Sequence, residues 1–338
     1  MKIFGKTLGK DIPIIAEVGV NHEGDIDAAV KLIRLAKEAG ADAAKLQTYT
    51  PGRYASVSDR ARLDRVTQFA LDEAAHIRLA EIGKEIDLPV FSTPLSEDVV
   101  PFLDSIFPVF KIASGDISFQ PAIVAAARTG KPVILSTGLA STEDIDRAVG
   151  WVRDEVGAEN LQERLVLLQC VSAYPTPMNE ANIASIPFLK ERYGLHVGYS
   201  NHVIGPEACY AAVACGACLI EVHFTDQKTG REFRDHELSM EPGDLSHLVH
   251  TVPLISAAIG TSDKAVQPSE AGNAPAVHKG VVAARDLLAG TVLQQDDLMF
   301  ARPASEVPAH CVEELYGKSL SGDVLMGELI PASTLGEA

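Results

Sequence analysis

The sequence predicts a (β/α)8 barrel followed by a small β-rich module, and three observations point there. Short apolar runs alternate with longer helical patterns eight times between residue 12 and about residue 260. Most of those runs are apolar nearly throughout, as parallel strands covered on both faces are. Past residue 262 the texture changes to small, polar and turn residues, and then to short strand-like segments.

The expected strands are 13–18, 43–47, 89–93, 109–114, 132–136, 165–171, 195–200 and 218–223. A helical pattern follows each. Over 27–39, Ala29, Val30, Ile33 and Ala36 fall at helical spacing. Ser141-Thr-Glu-Asp144 has the form of a capped helix start. Gly40, Gly130 and Gly194 stand just before the next strand, where a helix-terminating glycine belongs. A doubly wound open sheet would alternate in the same way. No G-x-G-x-x-G follows the first strand, so its dinucleotide-binding version has no support.

The expected divisions are a catalytic barrel over 1–262, a linker over 263–278 and a β-rich module over 279–338. Gly280-Val-Val-Ala-Ala-Arg285, Leu298-Met-Phe-Ala-Arg-Pro303 and Gly327-Glu-Leu-Ile-Pro331 give the module its strand character. At that size its own core is marginal, and it is expected to dock on another surface.

Of the 338 residues 46% are hydrophobic and the mean hydropathy is +0.10, ample for a large core. A formal net charge of -17 argues against nucleic acid or an anionic membrane as partner. It leaves an anionic small substrate open, because a few lysines and arginines in one pocket suffice to bind phosphate. The N-terminus has no signal-peptide run, and no stretch reaches the ~18 apolar residues of a membrane span. The five cysteines are too scattered for a disulfide framework, so the cytoplasm is the expected compartment. Cys215-Gly-Ala-Cys218 has metal-knuckle spacing but no second pair, so both are expected as buried small apolar residues.

In such a barrel the C-terminal strand ends surround the catalytic mouth, and here they are polar. They carry Glu17, Lys45 and Gln47, Thr93, Lys111 with Ser114 and Asp116, Ser136, Ser172 and Tyr174, Ser200 and His202, and Glu221 and His223. Lys45 and Lys111 lie within apolar strands, where an unpaired ammonium is costly. Either inward carboxylates such as Glu17, Asp116 or Glu221 pair them, or they meet a phosphate or carboxylate on a ligand. The serines and Thr93 either donate to that anion or cap the next helix. His202 and His223 close two strands and form a candidate metal pair. Asn21-His-Glu-Gly24 reads as a turn. Asp235 and His236 fall in a charged segment that reads as a solvated loop, and Arg302 reads as a surface residue.

The order of motifs resembles the sialic acid synthase family. Its carriers are Ile15-Ala-Glu-Val-Gly-Val-Asn-His-Glu-Gly24, Lys45-Leu-Gln-Thr48, Phe91-Ser-Thr-Pro94, Lys111-Ile-Ala-Ser-Gly-Asp116, Ile134-Leu-Ser-Thr-Gly138, Tyr174-Pro-Thr-Pro177, Gly198-Tyr-Ser-Asn-His202 and Glu221-Val-His-Phe-Thr-Asp226. The tail resembles the antifreeze-like (SAF) domain that ends those enzymes. The resemblance implies a (β/α)8 barrel that condenses phosphoenolpyruvate (PEP) with an N-acetylmannosamine-type sugar and releases phosphate. It implies a divalent ion, commonly Mn2+ with Mg2+ or Co2+ as alternatives, on His202 and His223. It places Lys45, Thr93, Lys111, Ser114, Asp116, Ser136, Ser172 and Ser200 on PEP. Gln47, Tyr174 and Asp235 then face the sugar, and Glu17 and Glu221 serve catalysis. It also implies a domain-swapped homodimer in which Arg302 reaches the neighbouring copy's sugar.

In the mechanism this implies, the ion polarises the sugar aldehyde and PEP C3 attacks it. Charge at C2 is stabilised by Glu17 or Glu221, water adds, and C–O cleavage expels phosphate. The chain departs from many members in having Ser172 for Asn and Asp116 for Glu. Its 51–65 segment is short and lacks an acceptor-binding Asn, and Glu232-Phe-Arg-Asp235 replaces a Gly- and Pro-containing stretch. The acceptor therefore stays open between N-acetylmannosamine and a 2,4-diacetamido-trideoxy hexose leading to legionaminic or pseudaminic acid. Two other classes compete. A Schiff-base aldolase needs a lysine late in the barrel, and strand 165–171 has none. A non-enzymatic sugar-binding regulatory protein has no need of Glu17, Lys45, Lys111, His202 and His223 together.

Overall fold

The computed structural model describes residues 1–336. The chain forms two compact units, Met1–Gly260 and a second that begins at Thr261. In the first, eight parallel strands close into a barrel with helices between them. They are β1 (Ile14–Gly19), β2 (Ala43–Thr48), β3 (Val90–Pro94), β4 (Phe110–Ile112), β5 (Val133–Ser136), β6 (Leu165–Cys170), β7 (His196–Asn201) and β8 (Ile220–His223). Each pairs with the next, and β8 closes on β1 from Ile220↔Ile14 to His223↔Glu17.

Local chemistry explains the alternation. Asp25 caps the Ile26–Glu38 helix by accepting from the N–H groups of Asp27 and Ala28. That helix turns Ala29, Leu32, Ile33 and Ala36 onto the strands. Ser141 and Asp144 form a reciprocal capping box at the start of Thr142–Val156. Gly194 ends the Ser185–Tyr193 helix with φ of 63°, in the left-handed region that favours glycine. The strands bury both faces, with Phe91, Phe110 and Tyr199 among the largest fully buried side chains.

Two expectations need correction. Strand β4 covers only Phe110–Ile112, because Ser114-Gly-Asp116 has turn chemistry and folds into a 3₁₀ turn. Cys215 is exposed at the end of the Glu207–Ala214 helix, and only Cys218 of that pair is buried.

The second unit pairs Gly280–Ala283 antiparallel with Leu298–Ala301. Val281, Ala283, Leu287, Leu293, Leu315, Leu320, Val324 and Ile330 build a core of its own. The stretch read as a linker contains two short helical turns, Pro268–Ala271 and Ala274–Val277. The expected module runs to 338, and residues 337 and 338 lie outside the described residues. Among the described residues no helix is long and apolar enough to cross a membrane.

The barrel wall is closely packed at Gly198 on β7. A Cβ there would lie 2.4 Å from the Leu219 carbonyl oxygen and 2.7 Å from Leu168 Cδ2. Gly198→Ala is expected to cost about 1–3 kcal/mol, read as a lower midpoint in urea denaturation. An unchanged midpoint would mean that the wall yields at no cost.

Candidate active site

The C-terminal strand ends open on a cavity of about 460 Å³. Alternation along the strands turns Glu17, Lys45, Gln47, Thr93, Lys111, Ser136, Ser200, Glu221 and His223 into it. The following loops add Ser114, Asp116, Ser172, Tyr174, His202 and Asp235. Every barrel residue that the resemblance assigns to PEP, sugar, metal or catalysis thus lines one cavity, whereas Arg302 belongs to the second unit.

Four buried charges form its floor. Nζ of Lys45 lies 2.6 Å from Glu17 Oε2 and 3.8 Å from Glu221 Oε2. Nζ of Lys111 lies 3.9 Å from Glu221 Oε1 and donates to Ser136 Oγ at 2.7 Å. Lys45 also donates to Thr93 Oγ1, Gln47 to Glu17 Oε1, and Ser200 to Glu221 Oε1. Inward carboxylates therefore do pair the lysines. Burial works against charge on Lys45, but Glu17 and Glu221 outweigh it and hold its proton firmly. For Lys111 burial wins and the ammonium titrates below its ordinary value.

The two glutamates are driven apart. Burial would raise both. Lys111 and Lys45 overcome it at Glu221, whose carboxyl stays below its ordinary value and ionised. At Glu17 burial prevails over Lys45, and Glu221 adds to it, so Glu17 keeps a proton to higher pH. The two carboxyls beside this cavity thus shift in opposite directions.

Several polar atoms are left without partners. Glu221 Oε2, Ser172 Oγ and Asp116 Oδ2 are buried with no hydrogen-bond partner among the described residues. Such groups are costly unless a ligand meets them. Gly138 keeps this corner open, since a Cβ there would lie 2.5 Å from Ser172 Oγ and 2.7 Å from Ser114 Oγ. Burial pushes the Asp116 carboxyl up to about 6, against the pull of Lys111.

His202 and His223 stand side by side, ring centroids 5.2 Å apart, with Tyr174 4.1 Å from His202. Nδ1 of His202 lies 2.6 Å from the Val171 carbonyl oxygen, which makes Nδ1 the donor, so that the neutral form of the ring carries its lone pair on Nε2. Burial, and then His202, hold His223 well below its ordinary value and neutral. No hydrogen bond engages the His223 ring among the described residues. This donor set suits a divalent cation. Among the described residues no cluster of three or more His, Cys, Asp or Glu surrounds a common point, so the remaining positions would fall to substrate or water.

The outer wall holds what the sequence left unread. The 51–65 segment folds into Pro51–Tyr54 and the start of Arg60–Phe69, and brings Tyr54, Arg62 and Arg65 to the cavity beside Tyr49. Their signal was the spacing of Arg62, Arg65, Val66 and Phe69 on one helical face. Asp235 and His236 are buried, not solvated. Ser239 Oγ donates to the Asp235 carbonyl, and Asn21 donates to Ser239 and to the Phe224 carbonyl. His236 is held between Thr225 Oγ1 at 2.7 Å and Glu23 Oε1 at 3.2 Å. Asn21 and Glu23, read as a turn, thus anchor the loop that carries Asp235. Arg234 contacts Asp235 at 3.3 Å and lies 4.9 Å from the centre of the Tyr174 ring.

A closed barrel with a charged, hydroxyl-lined mouth defines an enzyme of the (β/α)8 class. Residues 32–264 match the NeuB family and residues 278–336 the SAF domain. The chain is 36% identical to the N,N'-diacetyllegionaminic acid synthase of Campylobacter jejuni, over 94% of this chain and 98% of that one. It is 31% identical to the human N-acetylneuraminate-9-phosphate synthase, over 96% and 95%. A crystal structure of N-acetylneuraminic acid synthetase from Leptospira borgpetersenii superposes with a TM-score of 0.74 at 33% identity, covering 79% of this chain and 94% of that one. The chain belongs to the NeuB family of sugar acid synthases.

The raised Asp116 carboxyl makes a prediction about pH. The folded protein keeps this proton to higher pH than an unfolded chain, whose value is 3.8. The stability it contributes is present below that value and is lost as pH rises through about 6. Asp116→Asn is therefore expected to stabilise the protein at pH 8, on the order of 1–2 kcal/mol, and not at pH 3.5, in thermal denaturation without ligand. An equal gain at both pH values would contradict the assignment.

Proposed function

We propose that this enzyme joins C3 of phosphoenolpyruvate to the aldehyde carbon of open-chain N-acetylmannosamine or a related acetamido sugar. Inorganic phosphate leaves by C–O cleavage. The observation that carries the reading is the buried floor of Lys45, Lys111, Glu17 and Glu221 beneath unpartnered hydroxyl and carboxyl oxygens.

Lys45 and Lys111 meet the phosphate and carboxylate of PEP. Thr93, Ser114, Ser136, Ser172 and Ser200 add hydroxyl donors, and Asp116 contributes a proton below about pH 6. Gln47, Tyr174 and Asp235 face the sugar. The enol electrons form the new C–C bond and leave positive charge at C2. Ionised Glu221 stabilises that charge through preorganised electrostatics. Water adds to C2 and gives one proton to a carboxylate. The intermediate then collapses to the ketone, its hydroxyl proton and the C2–O electron pair leaving with the phosphate, and the former aldehyde oxygen takes up the proton the carboxylate received. Glu17, held 2.6 Å from Lys45 Nζ, is the second carboxyl within reach of these proton transfers. Fixed placement of both substrates supplies much of the rate. His202 and His223 would hold a divalent cation, Mn2+ or alternatively Mg2+ or Co2+, which when bound supplies Lewis-acid polarisation of the aldehyde oxygen.

The reading includes a domain-swapped homodimer in the cytoplasm, with Arg302 serving the neighbouring copy's sugar. A second acceptor, a 2,4-diacetamido-trideoxy hexose, is favoured by the 36% identity to the Campylobacter jejuni N,N'-diacetyllegionaminic acid synthase.

Phosphate release tests the reading, with PEP, Mn2+ and a panel of N-acetylated hexoses, with and without EDTA. Phosphate is expected only when sugar and metal are both present, and metal-independent turnover would remove the role given to the histidine pair. Arg302→Ala is expected to raise the sugar KM by roughly tenfold or more, with a much smaller change for PEP. An unchanged sugar KM would reject the swapped arrangement.

A further inference from the structure

We infer that the acceptor sugar carries an anion, a phosphate ester or a carboxylate, at the end remote from its aldehyde, and that Arg62 and Arg65 grip it. This acceptor chemistry presupposes the condensation proposed above and names the substrate class of the same cavity.

Helix Arg60–Phe69 lines the cavity with Arg62, Arg65, Val66 and Phe69. Their spacing of i, i+3, i+4 and i+7 is one helical face. Val66 and Phe69 anchor that face in a small apolar cluster with Val20, Tyr49, Ala55 and Leu95, separate from the barrel core. Phe233 packs edge-on against Phe69 at 5.3 Å. The arginines therefore stand on a fixed helix over the mouth, not on a loose loop.

Their charges are not spent inside the protein. Lys45 and Lys111 have Glu17 and Glu221, and Arg234 has Asp235. Among the described residues the only carboxylate within 4.0 Å of Arg62 is Asp59, the cap of its own helix, at 3.5 Å with both side chains more than half exposed. Arg65 has no carboxylate within 4.0 Å among the described residues. Two unopposed guanidiniums lining the cavity of a chain with net charge -17 mark a place for an anion.

That anion is assigned to the acceptor, because the phosphate and carboxylate of PEP fall to Lys45 and Lys111 in the proposed condensation. The floor lysines are influenced by Glu17, Glu221 and Cys170. Burial raises Tyr49 and Tyr54 on the outer wall; Arg65 opposes it at Tyr49, and Arg62, with Arg234, opposes it at Tyr54. The cavity thus has one cationic pair on its floor and another beside the tyrosines at its mouth. Two guanidiniums one helical turn apart suit the oxygens of a single phosphate or carboxylate.

The test compares kcat/KM for N-acetylmannosamine, its 6-phosphate and N-acetylmannosaminuronic acid, in phosphate release with PEP and Mn2+. At least one anionic acceptor is expected to exceed the neutral sugar by roughly tenfold or more. The double variant Arg62→Gln/Arg65→Gln brings that ratio towards one, and Arg65→Lys alone keeps part of it. The phosphate and uronate arms tell which anion is used. Equal use of all three sugars, or a preference that survives in the double variant, overturns the inference and leaves the condensation standing. No phosphate from any acetamido sugar, neutral or anionic, removes both.

Discussion

Two lysines and two glutamates sit together inside the barrel mouth, each nearly sealed from water, and much of the structure answers to that arrangement. Taking such ions out of water costs roughly several kcal/mol each, and their attraction repays this only with good geometry and further hydrogen bonds. The strand register supplies the geometry. Glu17 pairs with Lys45 across β1 and β2, and Glu221 pairs with Ser200 across β7 and β8. Thr93, Ser136, Ser200 and Gln47 supply the hydrogen bonds. An apolar floor would be the more stable choice, so the cluster is best understood through what it binds.

The surroundings keep this floor open on one side. Gly138 has no side chain to fill the corner between Ser114 and Ser172. Glu221 Oε2 has no hydrogen-bond partner among the described residues, Lys45 Nζ standing 3.8 Å away. The loop after β8 is tied down through Asn21, Ser239, His236 and Glu23, which fixes Asp235 at the wall without using its carboxylate. The histidine pair follows from parallel pairing of β7 with β8, which brings the two strand ends together.

Much of this was legible in the chain. The eight strands were marked by apolar runs, and the inner ring by polar residues where such strands should stay apolar. Lys45 and Lys111 stood out because a lone ammonium is so costly there. What was hidden depended on tertiary context. Arg62 and Arg65 look like ordinary surface charges until Val66 and Phe69 dock their helix. Asp235 and His236 look solvated because Glu23, the partner of His236, and Asn21, which holds the Ser239 that donates to the Asp235 carbonyl, lie more than 200 positions away from them. The end of β4 was overextended because an apolar run does not show where Ser114-Gly-Asp116 turns.

The central claim is that this floor directs attack through C3 of PEP and cleavage of its C2–O bond. It is tested most directly by PEP labelled with 18O in the bridging position, turned over with an acetamido sugar. The account predicts that the released phosphate carries the label. Unlabelled phosphate, with the heavy oxygen retained in the sugar acid, would mean P–O cleavage and would contradict it.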